Sequence, residues 1–198
     1  MSLVKGGVLA DAIKYFQQLP VIAEKAASLS INQVVERSGL AMMRSNIESQ
    51  VAFPNSYLKT DGRFGVTRKA RPDSLEAVIT ARDRPTSLAR FAPGQSPEST
   101  RKGGVSVQVK RGKTTRLKKA FMVRLRNGNI GLAVRLKPGE SLANRYSMKP
   151  IMLGKNLYLL YGPSVDQVFQ TVAEESLPEI GDMVSKEFYR QFARLSRR

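Results

Sequence analysis

The 198-residue chain has no cysteine and no histidine. Without Cys there is no disulfide, no thiolate nucleophile and no Cys-ligated zinc. Without His, the commonest general base, the commonest metal ligand and every Ser-His-Asp arrangement are excluded. Catalysis would fall to Asp, Glu, Lys, Tyr, Ser or Thr alone, so the expectation is a binding protein and not an enzyme. No stretch approaches the roughly 20 apolar residues of a membrane span. Residues 1–16 are interrupted by Lys5, Asp11 and Lys14, so a secretory signal is not expected. The lack of Cys suits synthesis in a reducing cytosol.

Acidic residues are also scarce, and in one place only. The net charge is +17. Residues 61–150 carry twenty-one basic and six acidic side chains, while residues 151–198 carry six of each. Between Glu98 and Glu140 there is no acid at all. In that stretch Arg101, Lys102, Lys110, Arg111, Lys113, Arg116, Lys118 and Lys119 form the candidate contact set for a polyanion or an acidic protein surface. Aromatics are sparse there, with only Phe91, Phe121 and Tyr146 between residues 90 and 150. A stacking platform for single strands would need more. Any nucleic-acid contact is therefore expected to be sequence-blind contact with phosphates. Asp61, Asp73 and Asp83 lack metal-loop spacing, and the glycine pairs fit no phosphate-cradling loop, so no metal or cofactor is expected.

What is present has a legible order. Residues 8–19 have helical spacing, and Pro20 is expected to interrupt it. The pattern resumes over residues 21–51, with Ala26, Val34, Val35, Ser38, Ala41 and Met42 on one face and a bend or close contact at Gly39. A loop follows, with a short strand near residues 64–67. Residues 75–82 alternate as a strand with Leu75, Ala77, Ile79 and Ala81 on one face. A short helical turn is expected over residues 87–91 after Pro85. Residues 105–110 alternate with one wet face. Residues 120–125 form a strand with Phe121, Val123 and Leu125 on one face, and Asn127-Gly128-Asn129 turns it back into residues 130–136. Residues 140–155 are expected to be irregular. The apolar run at 157–161 is the last strand.

Gly162-Pro163-Ser164 is the expected structural junction. Gly162 permits a sharp turn, Pro163 ends the strand and suits a first helical turn, and a helix follows to about residue 194. Pro178 would kink or restart it, and Leu177, Ile180, Val184, Phe188, Phe192 and Leu195 form an apolar stripe. The whole is an α+β fold: an antiparallel β-sheet packed by a long N-terminal and a long C-terminal helix, with extended loops. It is expected as one domain over 1–198, with a basic loop and hairpin region at about 93–155.

Three stretches resemble the minor tail protein Z family of lambda-type tailed phages, a group of head–tail joining and tail-completion proteins. They are LADAIKYFQQLPVIAEKAASLSINQVVERS at 9–38, FMVRLRNGNIGLAVRL at 121–136, and LYLLYGPSVDQVFQTV at 157–172. The resemblance implies a virion protein of the neck and tail, assembled in the host cytoplasm. It implies a homo-oligomeric, sixfold ring at the head-proximal end of the tail. Its partners would be the adjoining neck and tail-tube or terminator proteins, with genomic double-stranded DNA in the channel and no membrane. The basic segment would face that DNA or an acidic surface of an adjoining ring. The alternative is a free, sequence-nonspecific nucleic-acid-binding protein acting through the same segment.

Overall fold

The computed structural model describes residues 6–100, 104–140 and 149–197, with side chains described at Lys14 and from Phe16 onward. The fold is α+β, with antiparallel sheets between an N-terminal and a C-terminal helical stretch. Helix α1 covers Gly6–Val34, a π-turn covers Val35–Gly39 and α2 covers Leu40–Gln50. Strands β1 (Phe64–Arg68), β2 (Val78–Ala81) and β3 (Thr86–Ser87) precede a 3-10 turn at Leu88–Phe91. Then come β4 (Val105–Lys110), β5 (Lys113–Leu117), β6 (Ala120–Arg124), β7 (Ile130–Arg135), β8 (Ile151–Gly154), β9 (Leu157–Gly162) and α3 (Val165–Ser196). The chain divides into two compact units. One comprises Met1–Met42, Gly65–Thr80 and Glu175–Arg198, the other Met43–Phe64 and Ala81–Glu174.

In the first unit α1 runs through Pro20 without ending, contrary to the sequence expectation. Proline removes one donor, and positions 16–18, 20 and 21 are exposed, so the change falls on a face of α1 that water reaches. Pro178 is likewise exposed and inside α3, which does not restart there. The π-turn corrects a second expectation. A 3.6-residue period extended from Val34 puts Ser38, Ala41 and Met42 inward. A π-turn holds an extra residue, so the buried positions become Gly39, Leu40 and Met43, and Ser38 and Ala41 are exposed. The close contact expected at Gly39 is present, because an added Cβ would lie 3.1 Å from the Val34 carbonyl oxygen. Asn32 clamps the chain after β1: its amide donates to the Ala70 carbonyl and accepts from the Ala70 N–H, both at 2.8 Å. The apolar stripe on α3 is only half covered. Leu177 is 60% exposed, Phe188 stacks on Phe192 at 5.8 Å, and the buried positions in this stretch are Ser176 and Gln191.

The second unit is built on a five-stranded antiparallel sheet. Its path is β3-β9-β7-β6, with β8 also paired to β9. β7 is buried on both faces from Gly131 to Val134. Met122, Leu132 and Leu160 stand side by side in register and are almost fully buried. The β6–β7 turn is the expected one, with Gly128 at φ 80°. The inward positions of β6 are Ala120 and Met122, whereas Phe121 and Val123 are half-buried. With apolar residues on both faces, alternation alone does not choose the inner one. β2 is shorter than expected, and Leu75 lies before it, exposed. The expected irregular segment contains β8, whose Ile151, Met152 and Leu153 are exposed; residues 141–148 lie outside the described residues.

The two edges of this sheet differ. On β6, Gly104 donates to the Ala120 carbonyl at 2.7 Å, and the buried Thr100 hydroxyl accepts from the Met122 N–H at 2.9 Å. These bonds close that edge to further pairing. On β8, no such cover is formed among the described residues.

Gly39 and Gly181, both in helical stretches, make opposite predictions. Nothing lies within 4 Å of a Cβ added at Gly181, so Gly181→Ala should stabilise the protein by about 0.5–1 kcal/mol through helix propensity. Gly39→Ala should destabilise it, because the new methyl meets a backbone oxygen that cannot swing away. Urea unfolding midpoints of the two variants test this, and stabilisation by both would contradict the role given to the π-turn.

Candidate functional site

The two units share the charge unequally. The sheet unit carries twenty-one basic and seven acidic residues, the other unit twelve and nine. Most of the excess therefore surrounds β4 to β8, and its densest part is the β4–β5 hairpin.

The root of that hairpin is firmly held. Val105 and Val107 alternate inward and are buried. Gln95 pairs with the main chain of Ser106 in both directions, donating at 2.7 Å and accepting at 3.3 Å. Val109 accepts from the Ala52 N–H at 2.8 Å. Beyond Val109 the ribbon changes character. The register shifts between Val107 and Lys110, and Arg111-Gly112 make the turn, Gly112 at φ 73°. Lys113, Thr114, Thr115 and Arg116 on β5 are all exposed, but Thr115 and Arg116 pair with Val107 and Ser106 of the root, so the part beyond the root is residues 110–114. The residues of β5, Lys113-Thr114-Thr115-Arg116-Leu117, have no apolar alternation of their own. They become a strand by pairing with β4.

Six of the eight candidate basic residues can be placed. Lys110 and Lys113 face one another directly across the ribbon, with Arg111 between them at the turn. Like charges so placed repel, and an anion between them would relieve that repulsion. The Arg116 guanidinium lies against Gly104, where an added Cβ would come within 2.7 Å of it. Lys118 is exposed in the turn between β5 and β6. Among the described residues no ion pair reaches Lys110, Arg111, Lys113, Arg116 or Lys118. Lys119 is different, because it pairs with Glu140. That contact, helped by the Lys137 N–H at 3.0 Å, holds the Glu140 carboxyl below its usual range. Arg101 and Lys102 lie outside the described residues.

The junction is a positioning element. Gly162 pairs with Thr86 and has an ordinary φ, so it does not make the sharp turn expected of it. It is glycine for lack of room: an added Cβ would lie 3.1 Å from both Leu88 and Phe91. Pro163 precedes the helix cap and is not in the first turn. Ser164, fully buried, accepts from the Gln167 N–H at 3.0 Å, and Gln167 accepts from the Ser164 N–H at 3.1 Å. This reciprocal capping box was legible as Ser-x-x-Gln but not anticipated. The Asp166 N–H, another donor left over at the helix start, reaches the Arg82 carbonyl at 3.1 Å.

Other features offer less chemistry. Two depressions of about 340 and 510 Å³ in the first unit share Gln33 and Arg190, but Arg190 is already held by Glu187 at 2.7 Å. Among the described residues there is no group of three His, Cys, Asp or Glu side chains that could hold a metal ion. Among them, too, no helix is long and apolar enough to cross a membrane. The arrangement with the clearest chemistry is an exposed, cationic ribbon on a rigid root.

Loss of the capping box is measurable. Ser164→Ala should cost about 1 kcal/mol, and combining it with Gln167→Ala should cost less than the sum of the two. Denaturant unfolding of the three variants checks this, and strict additivity would mean that the two side chains act separately. No family model, curated protein or solved structure matches the chain.

Proposed function

We propose that the chain is a structural subunit of a tailed-phage neck or tail, completing the tail and joining it to the head as one member of a ring. This extends the resemblance to the minor tail protein Z family, whose three stretches fall on α1 and the π-turn, on the β6–β7 hairpin, and on β9 with the start of α3. The observation that carries the proposal is the apolar surface left open. Ile151, Met152 and Leu153 sit on the open edge of the sheet, and the α3 stripe is half covered. A free monomer normally protects such an edge, whereas an assembly subunit uses it for a neighbour. Ring formation requires a head-to-tail contact between unlike patches that closes on itself. The cationic ribbon would then meet genome DNA in the channel or an acidic face of an adjoining ring.

A second proposal, a nucleic-acid-binding protein acting alone, is favoured by the unpaired charges of the ribbon. Native mass spectrometry and negative-stain imaging separate the two. The assembly proposal expects closed rings of identical subunits, six by the resemblance, that bind purified tails. A monomer that ignores tails yet binds DNA with a steep salt dependence would replace it with the second proposal.

A further inference from the structure

We infer that the tip of the β4–β5 hairpin, residues 110–114, is a DNA arm: the exposed end of a β-ribbon that enters a groove of B-form duplex DNA and holds its phosphates irrespective of sequence. The inference rests on the polyanion reading of this hairpin and is independent of the ring.

The choice of ligand follows from what the arm contains. Its sequence, Lys-Arg-Gly-Lys-Thr, has three bases, one hydroxyl and no apolar side chain. A protein partner is normally gripped by an apolar or aromatic anchor at the centre of the contact, and none is offered here. The nearest apolar residues, Val109 and Leu117, are partly buried at the root. Single strands are held by stacking on aromatic rings, and the arm has none. Lys, Arg and Thr side chains are the groups that bond phosphate oxygens in duplexes.

The shape points the same way. Two paired strands lie about 5 Å apart, and a two-stranded ribbon fits the major groove of B-DNA, about 12 Å wide. Entry of the tip into a groove requires it to be exposed, and Lys110, Arg111, Gly112, Lys113 and Thr114 all are, whereas Thr115 and Arg116 pair with Val107 and Ser106 at the root. The major groove of A-form RNA is too narrow for this. Lys110, Arg111 and Lys113 at the tip supply charge for phosphates on either side, and a bound phosphate eases the repulsion across the Lys110–Lys113 pair. The root, pinned by Gln95 and Ala52, keeps the arm from folding back.

The test is a salt titration of binding by the full-length protein to a fluorescent 20-base-pair duplex, followed by anisotropy. The slope of log affinity against log salt counts the phosphates neutralised, at about 0.9 per contact. Replacing Lys110, Arg111 and Lys113 together by Ser should reduce that slope by about 2.7 and weaken binding at 100 mM salt by at least about tenfold. Circular dichroism should show an unchanged melt, since the three side chains are exposed. A control lacking three exposed bases of the other unit, Lys14→Ser, Arg37→Ser and Lys186→Ser, should keep the wild-type slope. Unrelated duplex sequences should bind alike, and the duplex should bind tighter than either of its strands. An unchanged slope in the arm variant, an equal loss in the control, or tighter binding of single strands would overturn the inference. Displacement of duplex by poly-glutamate at matched charge would assign the arm to an acidic protein instead. Native mass spectra of the same samples keep the two proposals apart. Rings with an unaltered slope remove the arm and leave the ring. A monomer whose slope depends on the arm does the reverse.

Discussion

Met122, Leu132 and Leu160 form a rung across β6, β7 and β9, and the sheet unit depends on it. Each is 4% exposed or less, and each is set beside the next by strand register. Truncating a side chain so buried typically costs about 2–5 kcal/mol. The rung fixes which residues of β6 point inward, and hence where the edge of β6 meets Thr100 and Gly104. Gly104 leads directly into β4, so the root of the cationic ribbon is tied to the same sheet. At the other end β9 delivers Gly162 against Leu88 and Phe91, and Ser164 starts α3. Packing at the rung is thereby converted into a fixed take-off point for the hairpin.

How much of this is visible in the sequence depends on how local each cause is. The β6–β7 hairpin is legible because Asn127-Gly128-Asn129 carries its own turn chemistry. The short helical turn after Pro85 is legible for the same reason, whereas at residues 162–164 only the place of the strand-to-helix switch is legible, since Gly162 makes no sharp turn and the Ser164–Gln167 cap starts the helix. The π-turn is not, because only burial reveals that the inward face skips a position between Val34 and Gly39. β5 is not, because five residues with four exposed have no apolar alternation, and pairing with β4 makes the strand. β8 is hidden by its shortness and by Pro150 beside it. The candidate site was readable as a charge run, and structure divides that run. Lys110, Arg111 and Lys113 gather at a free tip, Arg116 turns back over Gly104, and Lys119 is taken by Glu140.

The contrast between the edges of the sheet gives the functional proposal its physical sense. One edge is closed by the chain itself, while the other, among the described residues, has no such cover and carries exposed Ile151, Met152 and Leu153. In the proposed assembly, such a sheet would accept a neighbour on one side only, which would limit pairing to a defined direction. The ribbon, with no apolar anchor, has a separate task. Assembly would use the apolar surfaces, and the polyanion would be met by a charged element that holds no part of the core.

Amide hydrogen exchange of the full-length protein, with and without duplex DNA, tests this division most directly. The account predicts slow exchange at residues 131–134 and 158–160 in both states. It predicts fast exchange over 111–114 in the free protein and marked slowing there when DNA is added. An outer ribbon already protected without DNA, or one left fast when DNA is bound, would contradict it.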